Sequence, residues 1–120
     1  MIIKNKSSNK ILAKNAWECI SFFQRLRGLM FKKISRNEGC VLTCPYESII
    51  DAGIHMMFVP QPLDVIWVNK DFMVVSVKRC AKAGPLNWWR VHYPSKPAKY
   101  IIEVPDAKGT LAGDEIRFIR

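Results

Sequence analysis

No apolar stretch in this chain reaches the roughly 18 residues that a membrane-spanning helix requires, so no membrane insertion is expected. Glycine-rich phosphate loops, Walker signatures and dinucleotide fingerprints are missing, and with them the common nucleotide chemistries; no cofactor is expected. Histidine is scarce, with two residues, and no Ser or Cys stands at a nucleophile spacing from His55, so a hydrolytic triad has no support. The opening Met1-Ile2-Ile3-Lys4-Asn5-Lys6 lacks the long apolar run of a signal peptide, which points to a cytoplasmic location. Acidic residues are few, ten against nineteen lysines and arginines, for a net charge of +9.

What is present suits one domain spanning residues 1–120, monomeric, with no repeats, low-complexity tracts or linkers. A hydrophobic fraction of 49% is enough for a core without disulfide or metal staples. The four cysteines (Cys19, Cys40, Cys44, Cys80) are expected to be mostly reduced in the absence of an export signal. Cys40 and Cys44 have a CxxxC spacing, but Gly39–Pro45 reads as a strand. A strand would hold their sulfurs ~13 Å apart, too far to share one zinc. They are read as small buried hydrophobes, and no metal site is expected.

Charge is unevenly spread. Residues 1–36 carry nine bases and one acid, residues 78–99 six bases and none, and residues 37–77 one base and five acids. Such a pattern suits either a solvated surface or a polyanion-binding face. The second reading would use Lys78, Arg79, Lys96 and Lys99 with Trp88, Trp89 and Arg90, whose rings can stack bases. The same Trp-rich loop, broken by Gly84, Pro85, Pro94 and Pro97, could equally be an apolar lid.

Residues 1–14 read as a hairpin turning at Asn5–Asn9. One amphipathic helix is expected at about 16–28: Asn15 as cap, Glu18 completing a capping box, and Cys19, Phe23, Leu26 and Met30 as one apolar stripe. Arg25 and Arg27 would complement its dipole, and Gly28 would end it. Beyond it, Cys40–Thr43, Ile54–Met57, Leu63–Val68, Phe72–Lys78, Tyr100–Val104 and Glu115–Ile119 read as strands. The fold class expected is α+β, predominantly antiparallel β: a small barrel- or sandwich-like sheet with the helix covering an open side or end.

Three polar residues stand out in apolar strands. His55 could serve as acid or base but also as a structural histidine. Asp64, entering Val65-Ile66-Trp67-Val68, needs a partner if buried, and Arg25 or Arg27 is the expected one. Glu103 shares a strand face with Ile101 and would meet solvent or a polar cavity.

Three segments taken together resemble the uncharacterised DUF192 (UPF0127) family: Arg25-Leu26-Arg27-Gly28-Leu29-Met30-Phe31; Gly39-Cys40-Val41-Leu42; and Ile54–Phe58 leading to Pro62-Leu63-Asp64-Val65-Ile66-Trp67. Ala98–Pro105 and Gly113-Asp114-Glu115-Ile116 resemble its closing segments, and His55-Met56 is similar to archaeal members. The family's signature positions fall on Arg27, Gly28, Leu29, Met30, His55, Met56, Pro62, Asp64, Glu103 and Asp114, while the Asp106–Ala112 loop is shorter than is usual. The resemblance implies a small, mainly β fold with a short helix and brings no activity or ligand. The function expected is a non-catalytic module binding a small polar or anionic ligand between the helix C-terminus and the sheet, through Arg25, Arg27, His55, Asp64 and Glu103. The alternatives are an enzyme using a His/carboxylate acid–base pair and a basic nucleic-acid-binding protein.

Overall fold

A computed structural model describes residues 1–19, 32–56, 59–81 and 91–120. Its strands are β1 (Ile2–Asn5), β2 (Lys10–Ala13), β3 (Asn15–Cys19), β4 (Glu38–Ser48), β5 (Ile54–His55), β6 (Leu63–Val68), β7 (Val74–Ala81), β8 (Val91–His92), β9 (Ala98–Val104) and β10 (Ile116–Ile119). They form a five-stranded sheet in the order β3-β4-β9-β6-β7, a three-stranded sheet β10-β1-β2, and a ribbon of β5 with β8. All pairings are antiparallel except β3 with β4, which run parallel.

The N-terminal hairpin forms as its sequence suggests, with Ser8 N–H bonding the Asn5 side chain in the turn. Leu63–Val68 is a strand over those same residues, buried at every position, because β9 and β7 flank it on both edges. The turn joining it to β7 closes on Asn69, whose side-chain oxygen accepts from the amides of Asp71 and Met73 (both 3.0 Å).

The expected helix requires correction, and with it the α+β class. The described residues contain no helix, and Ala16–Cys19 belong to β3; residues 20–28 of the expected span lie outside the described residues. Asn15 does not cap a helix. Its amide bonds Asn37 O (2.9 Å), and the segment then pairs with Glu38–Leu42 residue by residue. Glu18, expected in a capping box, instead pairs with Arg120. The physical reason is a period ambiguity. Trp17 and Cys19 suit a strand as well as a helix, and an available backbone ladder along β4 decides between a two-residue and a 3.6-residue repeat. Among the described residues, no helix is long and apolar enough to cross a membrane.

The five-stranded sheet carries a core on each face. On one, Ile66, Val68, Ile102, Val104 and Val41 pack with Ile3, Leu12 and Ile116 from the smaller sheet. On the other, Val65, Trp67, Ile101, Cys40 and Leu42 pack with Ala52, Ile54, Met56 and Val59, which the chain lays across them between β4 and β6. The Trp67 indole N–H donates to Ala52 O (2.7 Å), fixing that cover to the sheet. Close approach of the layers depends on Gly39, where a Cβ would stand 2.8 Å from Val104 Cγ1 and 3.2 Å from Ala13 Cβ.

Candidate functional site

Strand register brings together three groups far apart in sequence. Glu103 on β9 lies opposite Cys40 on β4 and Val65 on β6, so all three side chains share one sheet face. On β3, Trp17 lies opposite Cys40 and Cys19 opposite Leu42, which makes Cys19 and Cys40 diagonal neighbours on that same face. Their sulfurs are 3.2 Å apart, both side chains are buried, and both are free thiols. Glu103 is 3% exposed, and among the described residues no group hydrogen-bonds its carboxyl. A buried carboxyl without a partner is expensive to keep charged.

The electrostatics separate the three groups. Cys19 is pulled down to about 7, chiefly by the hydrogen bond with Cys40, then by the Trp17 side chain and the positive charge of Lys32, against the opposing effect of burial. Lys32 is held there by its ammonium, 4.1 Å from the centre of the Trp17 ring. Cys40 is pushed up by that same hydrogen bond, by burial and by the neighbouring Glu103. These directions favour Cys40 as the donor and Cys19 as the seat of the negative charge. Burial first, and the Cys19 charge second, push Glu103 up to about 8, so at neutral pH it is a carboxylic acid. A thiolate, a thiol and an uncharged acid thus stand together on a largely apolar face. That set can attack an electrophile, supply a proton and close a disulfide.

The polar residues singled out from the sequence do not all gather there. Asp64 lies opposite Val104 and shares a face with Ile66, the side of the sheet opposite to Glu103. It is buried, accepts from Ala107 N–H (2.7 Å) and pairs with Arg79 (3.6 Å), while Arg79 also donates to Ala107 O (3.0 Å) and Thr110 O (2.6 Å). This arrangement clamps the loop after β9 to β6 and β7. It supplies Asp64 with a cation that sequence reasoning had sought in Arg25 or Arg27, both outside the described residues. His55 sits half-buried on the separate β5–β8 ribbon, opposite Val91. Of the residues expected to hold a polyanion, Arg79 is engaged in the Asp64 clamp, and Lys99 lies 5.8 Å from the Tyr100 ring centre. Lys78 is exposed on β7 and Lys96 precedes β9, while Trp88, Trp89 and Arg90 are outside the described residues. An open hollow of about 510 Å³ beside Phe72, Tyr100, Phe118 and Arg117 takes in neither His55, Asp64 nor Glu103.

Sequence reasoning missed the cysteine pair. It weighed Cys40 against Cys44, its neighbour in sequence, whereas the partner is Cys19, brought alongside by a parallel strand pairing. The available signal was Glu103, a lone acid between apolar residues on a strand face that also bears Ile101.

The chain matches the DUF192 family ("Uncharacterized ACR") over residues 3–118. It is similar to a UPF0127 protein of the archaeon Thermococcus sibiricus, 38% identical over 116 residues that cover 93% of this chain and 71% of that one. It is also similar to the UPF0127 protein PH1112 of the archaeon Pyrococcus horikoshii, 36% identical over 104 residues, 87% and 84% of the two chains. Its fold resembles the crystal structure of a protein of unknown function from Novosphingobium aromaticivorans, with a TM-score of 0.76, 19% identity, and coverage of 98% of this chain and 82% of that one.

Proposed function

The chain belongs to the DUF192 family, and from its own geometry we propose that it is a thiol redox domain in which Cys19 and Cys40 cycle between two thiols and one disulfide. The observation that carries this reading is the 3.2 Å approach of the two sulfurs inside the sheet. Cys19 is the reactive partner, since Lys32 and Trp17 favour its thiolate, and Cys40 is the thiol that completes the bond. Closing it demands a small movement. The sulfurs must close from 3.2 Å to the ~2.05 Å of a disulfide bond. Cys19 lies on β3, the edge strand of the five-stranded sheet, so this approach leaves the central strands in place.

The expected ligand module loses part of its basis, because Asp64 and Glu103 lie on opposite sheet faces. The enzyme alternative, His55 acting with Asp64 or Glu103, could use only one of those two carboxylates. The nucleic-acid reading loses Arg79 to the Asp64 clamp.

Treating the folded protein with diamide and mapping its cysteines by mass spectrometry tests the proposal. A Cys19–Cys40 disulfide that dithiothreitol reverses is expected, formed equally in Cys44→Ala and absent in Cys19→Ser and Cys40→Ser. Recovery of both thiols unreacted, or a bond through Cys44 or Cys80, would overturn it.

A further inference from the structure

We infer that the oxidant this pair takes is a small hydroperoxide, and that Glu103 donates the proton to the departing oxygen. The inference rests on the redox reading of Cys19 and Cys40 and asks which electrophile the surroundings admit. Cys19 is 5% exposed and Cys40 fully buried, among Leu42, Val65, Ile101 and Trp17. Exchange with a protein disulfide passes through a mixed disulfide that keeps a bulky partner attached to the attacking sulfur, which burial of both sulfurs disfavours. A hydroperoxide presents two oxygen atoms and carries no charge.

The leaving group discriminates further. A departing thiolate has a conjugate acid near pKa ~8.5 and leaves unaided, whereas water has a pKa of about 15.7, so hydroxide or alkoxide needs a proton as it departs. Glu103 is suited to give one. It faces Cys40 from the adjacent strand, is buried, has no hydrogen-bond partner among the described residues and is uncharged at neutral pH. A merely structural carboxyl in an apolar core has its hydrogen bonds satisfied; this one has a proton and no described acceptor to receive it.

In the first step the Cys19 thiolate attacks one peroxide oxygen. An S–O bond forms, the O–O bond breaks, and the leaving oxygen takes the Glu103 proton, giving Cys19 sulfenic acid, water or an alcohol, and a Glu103 carboxylate. In the second, Cys40 Sγ attacks Cys19 Sγ, the S–O bond breaks, and the hydroxide leaves as water with the Cys40 proton. Two electrons have passed from the two sulfurs to the peroxide, and Glu103 regains its proton from solvent. Two molecules of a low-molecular-weight thiol, each far smaller than a protein partner, return the disulfide to the dithiol by exchange and leave joined as their own disulfide.

The test compares hydrogen peroxide with diamide, which accepts both electrons across its N=N bond without expelling oxygen. Rates are measured across pH on the full chain, with dimedone trapping the sulfenic acid in Cys40→Ser. Dimedone is expected on Cys19 alone, with a peroxide rate at least ~10-fold above that of a peptide cysteine at equal thiolate fraction. Glu103→Gln should lower the ratio of peroxide to diamide rates by ~100-fold, the lower end of general-acid effects. A purely structural role would lower both rates together and leave that ratio unmoved, which would overturn the assignment of Glu103. A peroxide rate equal to that of the peptide, or dimedone on another cysteine, would overturn the oxidant. If diamide closes the Cys19–Cys40 bond while peroxide does not react, this inference falls and the redox reading stands; if neither reagent closes it, both fall. Circular dichroism and the thermal midpoint of Glu103→Gln establish that the variant is folded.

Discussion

Glu103 is the residue at which folding and chemistry are most directly linked. In the unfolded chain its carboxyl ionises in the ordinary carboxylate range; in the folded protein burial and the Cys19 charge hold the proton until about pH 8. Between those limits the folded state binds more protons than the unfolded state, so stability falls as pH rises. The slope for one proton is about 1.4 kcal/mol per pH unit. Cys19 acts in the opposite sense at higher pH: its folded value of about 7 lies below its ordinary one, so its contribution grows as pH rises from there toward 9. The groups facing this acid are Cys19 and Cys40, with Lys32 behind Cys19. Urea unfolding between pH 5 and 7 should therefore show a decline near that slope in the wild type, and a markedly flatter profile in Glu103→Gln. Parallel profiles for the two proteins would show that Glu103 is not a buried acid. The sequence made this residue visible as a lone acid between Ile102 and Val104, but what it faces depends on two strands that sequence alone does not pair.

Strands and turns were legible where the local signal was self-sufficient. The β-branched run of Leu63–Val68 and the polar turn of the first hairpin carry their instructions within a few residues. The parallel alignment of β3 with β4 carries none, and so both the strand at Ala16–Cys19 and the Cys19–Cys40 contact escaped a reading made along the chain. Position 72 shows a local rule broken for packing. Phe72 adopts a φ of +63°, a left-handed backbone that suits glycine, where a side chain costs about 1–2 kcal/mol. Its ring stacks on Tyr100 at 5.3 Å and meets the edge of Phe118 at 5.9 Å, contacts worth about 0.5–1.5 kcal/mol each. The two effects nearly cancel. Phe72→Gly should then lie within about 1 kcal/mol of the wild type, while Phe72→Ala keeps the strained backbone, loses both rings and falls about 2 kcal/mol. Denaturant midpoints would check this order, in which glycine is better than alanine inside a β-hairpin. Alanine at or above glycine would mean that the backbone strain is not real.

Across the molecule, the two ends of the chain hold each other in place, and the site depends on that closure. β1 lies between β2 and β10, pairing Ile2 to Asn5 with Ile119 to Ile116. The buried Ile116 joins Ile3 and Leu12 in the core behind the five-stranded sheet, and its amide donates to Phe72 O (2.8 Å). Asp114 accepts from the buried Asn5 side chain (2.9 Å) and from Leu111 N–H (2.9 Å), tying the last turn to the first strand. Met1 O in turn receives the amide of Ala16 (2.9 Å), and Ala16 lies on β3, the strand that carries Cys19. Deleting residues 114–120 removes a buried isoleucine, worth about 2–5 kcal/mol, together with a full ladder of backbone bonds. That sum is comparable with the ~5–15 kcal/mol by which an ordinary domain is stable. The shortened chain is expected to lose its cooperative unfolding transition, and with it the selective formation of the Cys19–Cys40 disulfide under diamide. Deleting Arg120 alone breaks only its exposed pair with Glu18 and should leave both intact. A shortened chain that still unfolds cooperatively and still pairs those two cysteines would show that the five-stranded sheet organises the thiols without help from the smaller one.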